Sequence, residues 1–502
     1  MDWFERAALS GPAASIYNRL LEERLIWDLS LPAHRQVLRK DVARIADDMD
    51  DPGRMPPMFW SGIPWPEEAG PAPSCGYQLV ISVGGTKTEF AFLRMDKGRL
   101  HGLDPATGKE VTGPEEIERI KNAAQMPTPK CTPQVPTGAV LVANMVRHFA
   151  KHFGRHKEAL EGCEAVVMSW GFPHRVFRTA PSLAGGLTAR VTLMTKDQAG
   201  FSGGLVGKDI NVLFDREFRS QMGWSRPIAV ANDTVMALHW FLDPERRRGH
   251  NRVGLFINGT GVNFSAAEAY AVRSQGYMSG DGETYEPARI TVHRKLASGE
   301  REGLFFVNYE AGSLHLEATR TRFDTDPDYP FERNVLAGGN AFPQQLRAFT
   351  ETFISKAVYE RIRENWIVAG RKGEEALPGA PVVSSLATGP AAREILKGFE
   401  ACEVLAPQLR LVARAVVARS ALHAAMVLAA VTVRTGFGRG REGLPDLLGM
   451  EGSVWKIPGY QDLVRSYWQD LTGDIPLKVD FAAEPAYNAS LSGPLYLAAI
   501  QK

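Results

Sequence analysis

Ala229-Val230-Ala231-Asn232-Asp233-Thr234-Val235 marks a change of pattern in the chain. Residues 227–231 are a short apolar run that ends in two polar residues, the pattern of a buried strand. From Val235 the chain continues as Met236-Ala237-Leu238-His239-Trp240-Phe241, which reads as helix. Asp233 therefore stands where a strand hands over to a helix, at the carboxyl edge of a sheet, and open α/β sheets bind their ligands at that edge. A carboxylate placed there can act as a general base. Asn232 and Asp233 are also both favoured N-cap residues, and taken alone the pair reads first as a helix start.

The flanking sequence changes that balance. Downstream, residues 252–257 form a strand that runs into Asn258-Gly259-Thr260-Gly261-Val262-Asn263-Phe264, and residues 265–269 return as a second strand. Upstream the same design occurs: a strand at 77–82, the turn Val83-Gly84-Gly85-Thr86, and a return strand at 88–95. Gly-Gly between two strand patterns is a hairpin signal. Such a turn lets backbone N–H groups approach a phosphate, although the Gly84-Gly85 turn taken alone reads first as a plain reversal. Two units of this kind suggest a duplicated βββαβα fold, each copy supplying one phosphate-holding turn. A third glycine turn, Gly449-Met450-Glu451-Gly452-Ser453-Val454-Trp455, precedes a helix at 460–471 and a strand at 475–481. No GxxxxGK[ST] run occurs and the glycines do not fit GxGxxG, so neither of those nucleotide folds is indicated.

The remaining chain supports a large α/β protein. Its 502 residues are too many for one core, so two or more lobes are expected. Helices are expected within 1–50 and at 137–153, 211–222, 342–361, 406–433 and 495–500, and a strand at 165–169 precedes Trp170-Gly171-Phe172-Pro173. Residues 51–76, rich in Pro and Trp, read as an extended connector, and 270–300 as polar loop or irregular strand. The net charge of +1 argues against nucleic-acid and membrane-surface partners. The apolar run 424–433 is shorter than the roughly 20 residues of a membrane span. Four dispersed cysteines without a CxxC pair indicate neither a disulfide framework nor a structural zinc site, which suits a cytoplasmic protein, and the N-terminus lacks the pattern of a secretory signal.

Taken together, the order of these motifs resembles the hexokinase family, within the actin-like sugar-kinase superfamily, from about residue 77 to the C-terminus. Val83-Gly84-Gly85-Thr86 looks like that family's first phosphate motif, and Gly259-Thr260-Gly261-Val262-Asn263 like its second. Trp170-Gly171-Phe172-Pro173 with Thr195-Lys196 is similar to the sugar-binding segment, and Asn232-Asp233 to the segment with the catalytic base. Asn308-Tyr309-Glu310 and Phe331-Glu332 resemble two glutamate-bearing sugar contacts, and Gly452-Ser453 the nucleotide-side turn.

The resemblance implies an α/β, two-lobed actin-like (ribonuclease-H-like) duplicated fold with a central cleft that closes on sugar. The smaller lobe would hold residues 77–231 with a last helix at about 481–502, and the larger lobe 1–76 and 232–480. It implies ATP and Mg²⁺ as cofactors, with glucose or a related hexose as substrate. Thr195, Lys196, Asn232, Asp233, Asn263, Glu310 and Glu332 would bind the sugar, and Asp233 would be the general base. Gly84, Gly85, Thr86, Gly259, Thr260, Gly261, Gly452 and Ser453 would hold the nucleotide; no residue is assigned to a metal.

Several positions depart from the family. Ser82 stands where the family has a metal-holding aspartate, Glu89 where it has an arginine, and Gly171 where its sugar segment has a serine. Glu451 replaces an aspartate, and the C-terminal glycine run is thinned to Ser490-Leu491-Ser492-Gly493. A carboxylate at Glu89 is expected to repel phosphates. Two readings follow: an ATP-dependent hexose kinase with an altered metal site, or a weak or inactive relative that binds sugar as a sensor or structural protein.

Overall fold

The computed structural model describes residues 3–5, 9–49, 59–61, 76–84, 87–96, 99–172, 174–178, 187–191, 194, 200–241, 246–259, 261–269, 277–278, 284–285, 292–295, 301–309, 311–314, 316–324, 338, 341–368, 379–473, 476–483, 493 and 495. Two sheets of the same design make up its frame. The first contains β1 (Gln78–Val83), β2 (Lys87–Asp96), β3 (Arg99–Leu103), β4 (Glu110–Thr112), β5 (Ala165–Trp170) and β6 (Ile228–Asn232), in the spatial order β6-β5-β1-β2-β3-β4. The pairs β1–β2 and β2–β3 are antiparallel hairpins, whereas β5 and β6 add in parallel on the other side of β1.

Parallel neighbours need crossovers, and helices α1 (Gly138–Phe153) and α2 (Ile210–Met222) supply them. In α1, Leu141, Val142, Met145, Val146 and Phe149 recur on one stripe and are all buried. Thr137 caps it, its hydroxyl accepting from Val140 N at 3.3 Å. These helices cover one face of the sheet, where Phe90 and Phe92 meet Phe149.

Helix α3 (Asp233–Phe241) leads out of β6. The second sheet then repeats the plan with β7 (Val253–Asn258), β8 (Val262–Ala269), β9 (Arg301–Asn308), β10 (Asp446–Glu451) and β11 (Val479–Ala482), ordered β9-β8-β7-β10-β11. Again the first three are antiparallel and the last two parallel, linked through α4 (Cys402–Thr435) and α5 (Tyr460–Thr472). The duplication expected from the two glycine hairpins is thus present in five strands of each sheet, three antiparallel and then two parallel.

α3 explains how the halves are joined. Thr234 to Phe241 are all buried, so the helix has no solvent face. Val235, Met236, Leu238 and Phe241 pack in one cluster with Val80, Val167 and Ala229 of the first sheet and with Val253, Leu255 and Leu447 of the second. Burial of each such side chain contributes roughly 1.5–3 kcal/mol. α4 is likewise buried along most of its length, at the centre of the helices around the second sheet. It is long and apolar enough to cross a membrane by composition, but 94% of its most apolar window is inside the protein.

Three features differ from the sequence reading. The helix expected over 342–361 is two helices, Ala341–Phe353 and Lys356–Val368; Ser355 accepts from Val358 N at 3.3 Å and starts the second as its cap. A hairpin unmarked in the sequence pairs His174–Arg178 with Leu187–Val191. The Pro/Trp connector contributes a strand, Phe59–Ser61, which pairs with β9 and lies close to that hairpin.

Two buried histidines make stability depend on pH. His174 and His239 are fully enclosed, and burial pushes each imidazole down to about 4. Nδ1 of His239 donates to Val235 O at 2.7 Å, and that of His174 to Phe172 O at 2.8 Å. An unfolded histidine titrates near about 6.5, so between about 6.5 and 4 the unfolded chain binds protons that the folded chain refuses. Stability is therefore complete above that window and falls as pH drops through it, by up to roughly 3 kcal/mol per histidine. Thermal unfolding midpoints between pH 7 and 4.5 check this; His239→Gln is expected to flatten the curve, and an unchanged slope would refute the assignment.

Candidate functional site

The carboxyl edge of the first sheet collects one group of the expected residues. Register sets it out in layers. Glu89, Ser82, Ser169 and Ala231 are direct partners across β2, β1, β5 and β6, so their side chains share a face. Alternation brings that face back two residues later, at Lys87, Gly84, Gly171 and Asp233. The backbone ties this outer layer together: Gly84 N donates to Lys87 O at 3.0 Å and Gly171 N to Val83 O at 2.8 Å.

Asn232 and Asp233 both meet the start of α3. Asn232, 3% exposed, accepts from Thr234 N through Oδ1 at 2.9 Å and so caps α3. Asp233 Oδ1 also accepts from Thr234 N, at 2.8 Å. Its Oδ2 lies 3.2 Å from the point where a Cβ on Gly171 would stand. That same Cβ would be 2.9 Å from Val83 O, so β5 must be followed by glycine for the chain and the carboxylate to come this close. The positive end of α3 favours the negative charge held there.

A residue without any sequence signal completes this edge. Thr128 donates its hydroxyl to Gly84 O at 2.7 Å and lies 3.0 Å from the Thr88 hydroxyl, which clamps the glycine turn from the far side of β2. It follows Met126–Pro127, a two-residue strand on β2 that nothing in the local pattern announces.

The second sheet gathers the other group. β7 and β10 are parallel neighbours, with Ile257 opposite Glu451, so their two glycine turns emerge side by side. Gly259 N bonds Gly261 O at 2.9 Å. Gly452 has φ +109°, and a Cβ on it would come within 2.4 Å of Asn258 O and 2.8 Å of Gly259 N. Only glycine permits that contact. Ser453 opens the short 3₁₀ turn Ser453–Lys456 beyond it, where Trp455 Nε1 donates to Phe256 O at 2.9 Å. Asn258 is held below by Tyr460, its amide donating to the phenol oxygen at 2.7 Å.

Asn263 performs a different local task. Its Oδ1 accepts from Phe264 N at 2.8 Å and from Ala311 N at 3.1 Å, so it anchors the chain where β9 has ended. The edges therefore bring together Gly84, Asn232 and Asp233 on one sheet, and Gly259, Gly261, Asn263, Gly452 and Ser453 on the other. Thr195, Lys196, Glu310, Glu332, Gly85, Thr86 and Thr260 lie outside the described residues.

Glu89 corrects one expectation. Far from being a bare negative charge, it is 3% exposed and its Oε1 is paired with the Lys87 ammonium and, at 3.5 Å, with that of Lys121. Among the described residues, no group of three His, Cys, Asp or Glu side chains could hold a metal ion. A Mg²⁺ carried by nucleotide phosphates needs only one or two protein oxygens, and the face with Asp233 and Ser82 offers a carboxylate and a hydroxyl.

No protein-family model matches the sequence, and no curated protein matches it. Solved structures do. The chain is similar to a hexokinase from Schistosoma mansoni complexed with glucose, with TM-score 0.60 and 16% identity over 97% of this chain and 99% of that one. It is similar also to a second crystal structure of hexokinase, with TM-score 0.64 and 19% identity over 97% of this chain and all (100%) of that one. The chain thus has the two-lobed, actin-like fold of these hexokinases along nearly its whole length.

Proposed function

We propose that the protein is a hexose kinase that transfers the terminal phosphoryl group of ATP to the 6-hydroxyl of glucose or a related hexose. The observation that carries this reading is Asp233: a carboxylate at the carboxyl edge of β6, on the same layer as the glycine turn of β1 and β2. It also sits at the head of the helix packed between both sheets. A base and a phosphate turn within one layer are what an in-line transfer requires.

In this reading Asp233 Oδ2 accepts the proton of the attacking hydroxyl while Thr234 N holds Oδ1. The turns at Gly84-Gly85-Thr86 and Gly259-Thr260-Gly261 cradle the donor's phosphates through backbone N–H groups, and Gly452-Ser453 borders the nucleotide. Thr195, Lys196, Asn232, Asn263, Glu310 and Glu332 are the proposed sugar contacts. Mg²⁺ arrives with ATP and offsets charge on the phosphates. Residues 77–231, with about 481–502 returning to them, form the proposed smaller lobe, and 1–76 with 232–480 the larger. Cys131, Cys163 and Cys402 are free thiols, in keeping with a cytoplasmic enzyme.

A second reading, a sugar-binding relative with little turnover, draws support from Ser82, which leaves the first strand without a carboxylate at its end. A coupled assay for glucose phosphorylation with ATP and Mg²⁺ separates the two. Turnover is expected; calorimetric binding of glucose with no turnover on any common hexose or donor would leave only the binding protein.

A further inference from the structure

The second glycine turn rests on a buried hydrogen-bond chain. Asn258, the last residue of β7, is fully buried, and an amide in that position needs a hydrogen-bond partner. Its partner is the Tyr460 phenol, to which Asn258 Nδ2 donates at 2.7 Å and which lies 3.1 Å from Ser420 Oγ. An amide nitrogen only donates, so the phenol accepts from Asn258 and keeps its own proton for Ser420. Burial pushes the phenol's pKa up, which holds that proton in place. The Tyr460 ring is itself wedged edge-on against Trp455, which meets Phe256 in the same way.

Three elements meet in this chain: the end of β7, the first residue of α5 and the middle of α4. Two of them lead directly to the donor side. Gly259 follows Asn258 and opens the second glycine turn, and Tyr460 comes shortly after the turn Ser453–Lys456. Asn258 O is also the atom that a Cβ on Gly452 would strike, so the two glycine turns touch at Asn258. A shift of Asn258 therefore moves both. Apolar packing would hold that residue without fixing its angle, whereas a hydrogen bond is directional. Backbone N–H groups that are to hold phosphates work best when already aimed, which requires locked residues beneath them.

We propose that Tyr460 is a positioning residue for the phosphoryl donor: through Asn258 it sets the angle at which the turn opened by Gly259 meets Gly452-Ser453. The phenol is buried and does not itself meet substrate. Ser420 fixes the phenol in turn, so the buried middle of α4 is the point against which the donor side is aligned. The proposal rests on the phosphoryl-transfer reading above and adds to it a residue that lies beneath the site.

Calorimetric titration with ATP and with inorganic tripolyphosphate, each with Mg²⁺, tests it in the wild type, Tyr460→Phe, Asn258→Ala and the double variant. Tyr460→Phe keeps the ring against Trp455 and removes only the oxygen. It should weaken both probes by about 5- to 20-fold, the range of a lost buried hydrogen bond. KM for ATP should rise more than kcat falls, with glucose affinity unchanged. In the Asn258→Ala background Tyr460→Phe should cost nothing further, because the phenol acts through Asn258. Ser420→Ala, which leaves the phenol one partner, should weaken ATP binding in the same direction and by less. A Tyr460→Phe protein that unfolds at lower temperature but binds both probes like wild type would overturn the proposal and leave the kinase reading intact. Equal losses from Tyr460→Phe in both backgrounds would do the same. If Tyr460→Phe does not fold, Ser420→Ala decides, and unchanged ATP binding there would overturn the proposal. Wild-type protein that binds glucose but neither probe would overturn the donor half of the kinase reading and this proposal with it.

Discussion

Asp233→Asn is expected to lower kcat for hexose phosphorylation by about 10²- to 10⁴-fold, the range that a positioned general base contributes. The substitution keeps shape and removes only the capacity to take a proton. Asparagine can still accept from Thr234 N through its amide oxygen, as Asp233 Oδ1 does at 2.8 Å, so the start of α3 is preserved. The buried run from Thr234 to Phe241, which joins the sheets, stays packed. Glucose affinity should therefore change little, and the loss should fall on kcat. Steady-state kinetics beside glucose calorimetry measure the two separately. A variant retaining more than a tenth of wild-type kcat would remove Asp233 from the role of base.

Gly171→Ser sets two lines of reasoning against each other. The hexokinase resemblance places a serine at this position, so by resemblance alone the change restores a sugar contact. The geometry points the other way. A Cβ at residue 171 would lie 2.9 Å from Val83 O, 3.2 Å from Asp233 Oδ2 and 3.5 Å from Gly84 Cα. The first of these contacts is with backbone, which has no rotamer by which to yield. Either β5 draws away from β1 or the Asp233 carboxylate is displaced, and a shift on the order of 1 Å at a reacting group costs about 100-fold in rate. The expected result is a fall of that order in kcat with folded protein, read by kinetics and circular dichroism. Activity at or above wild type would mean that the carboxyl ends of β1 and β5 spread freely and that Gly171 does not set the place of Asp233.

Much of this architecture was present in the sequence because it is local. A glycine turn between two apolar runs specifies a hairpin from a few adjacent residues, and it did so at both Gly84-Gly85 and Gly259-Thr260-Gly261. The strand-to-helix change at Asn232-Asp233 is equally local, as is the stripe of Leu141, Met145 and Phe149 on α1. The order of such signals was enough to suggest duplication, which the two matching sheets bear out. The break at Ser355 was also local, but a single cap inside a continuous apolar period is a weak signal against that period.

What tertiary structure decided is which distant residues share a space. An all-apolar α3 announces burial on every side, but nothing in it says that one side meets Val80 and the other Leu255. Sequence showed Glu89 as a carboxylate near phosphates. Of its two counter-ions, Lys87 is a strand neighbour, but Lys121 is brought in by a helix beyond β4, and that contact has no periodicity to betray it. Thr128 on Gly84 O is of the same kind. Hairpins and amphipathic stripes follow from backbone sterics and hydrophobic spacing within one segment, so the sequence alone determines them. Counter-ions, clamps and the near contact between Gly171 and Asp233 depend on how completed segments pack, and only the folded chain supplies them.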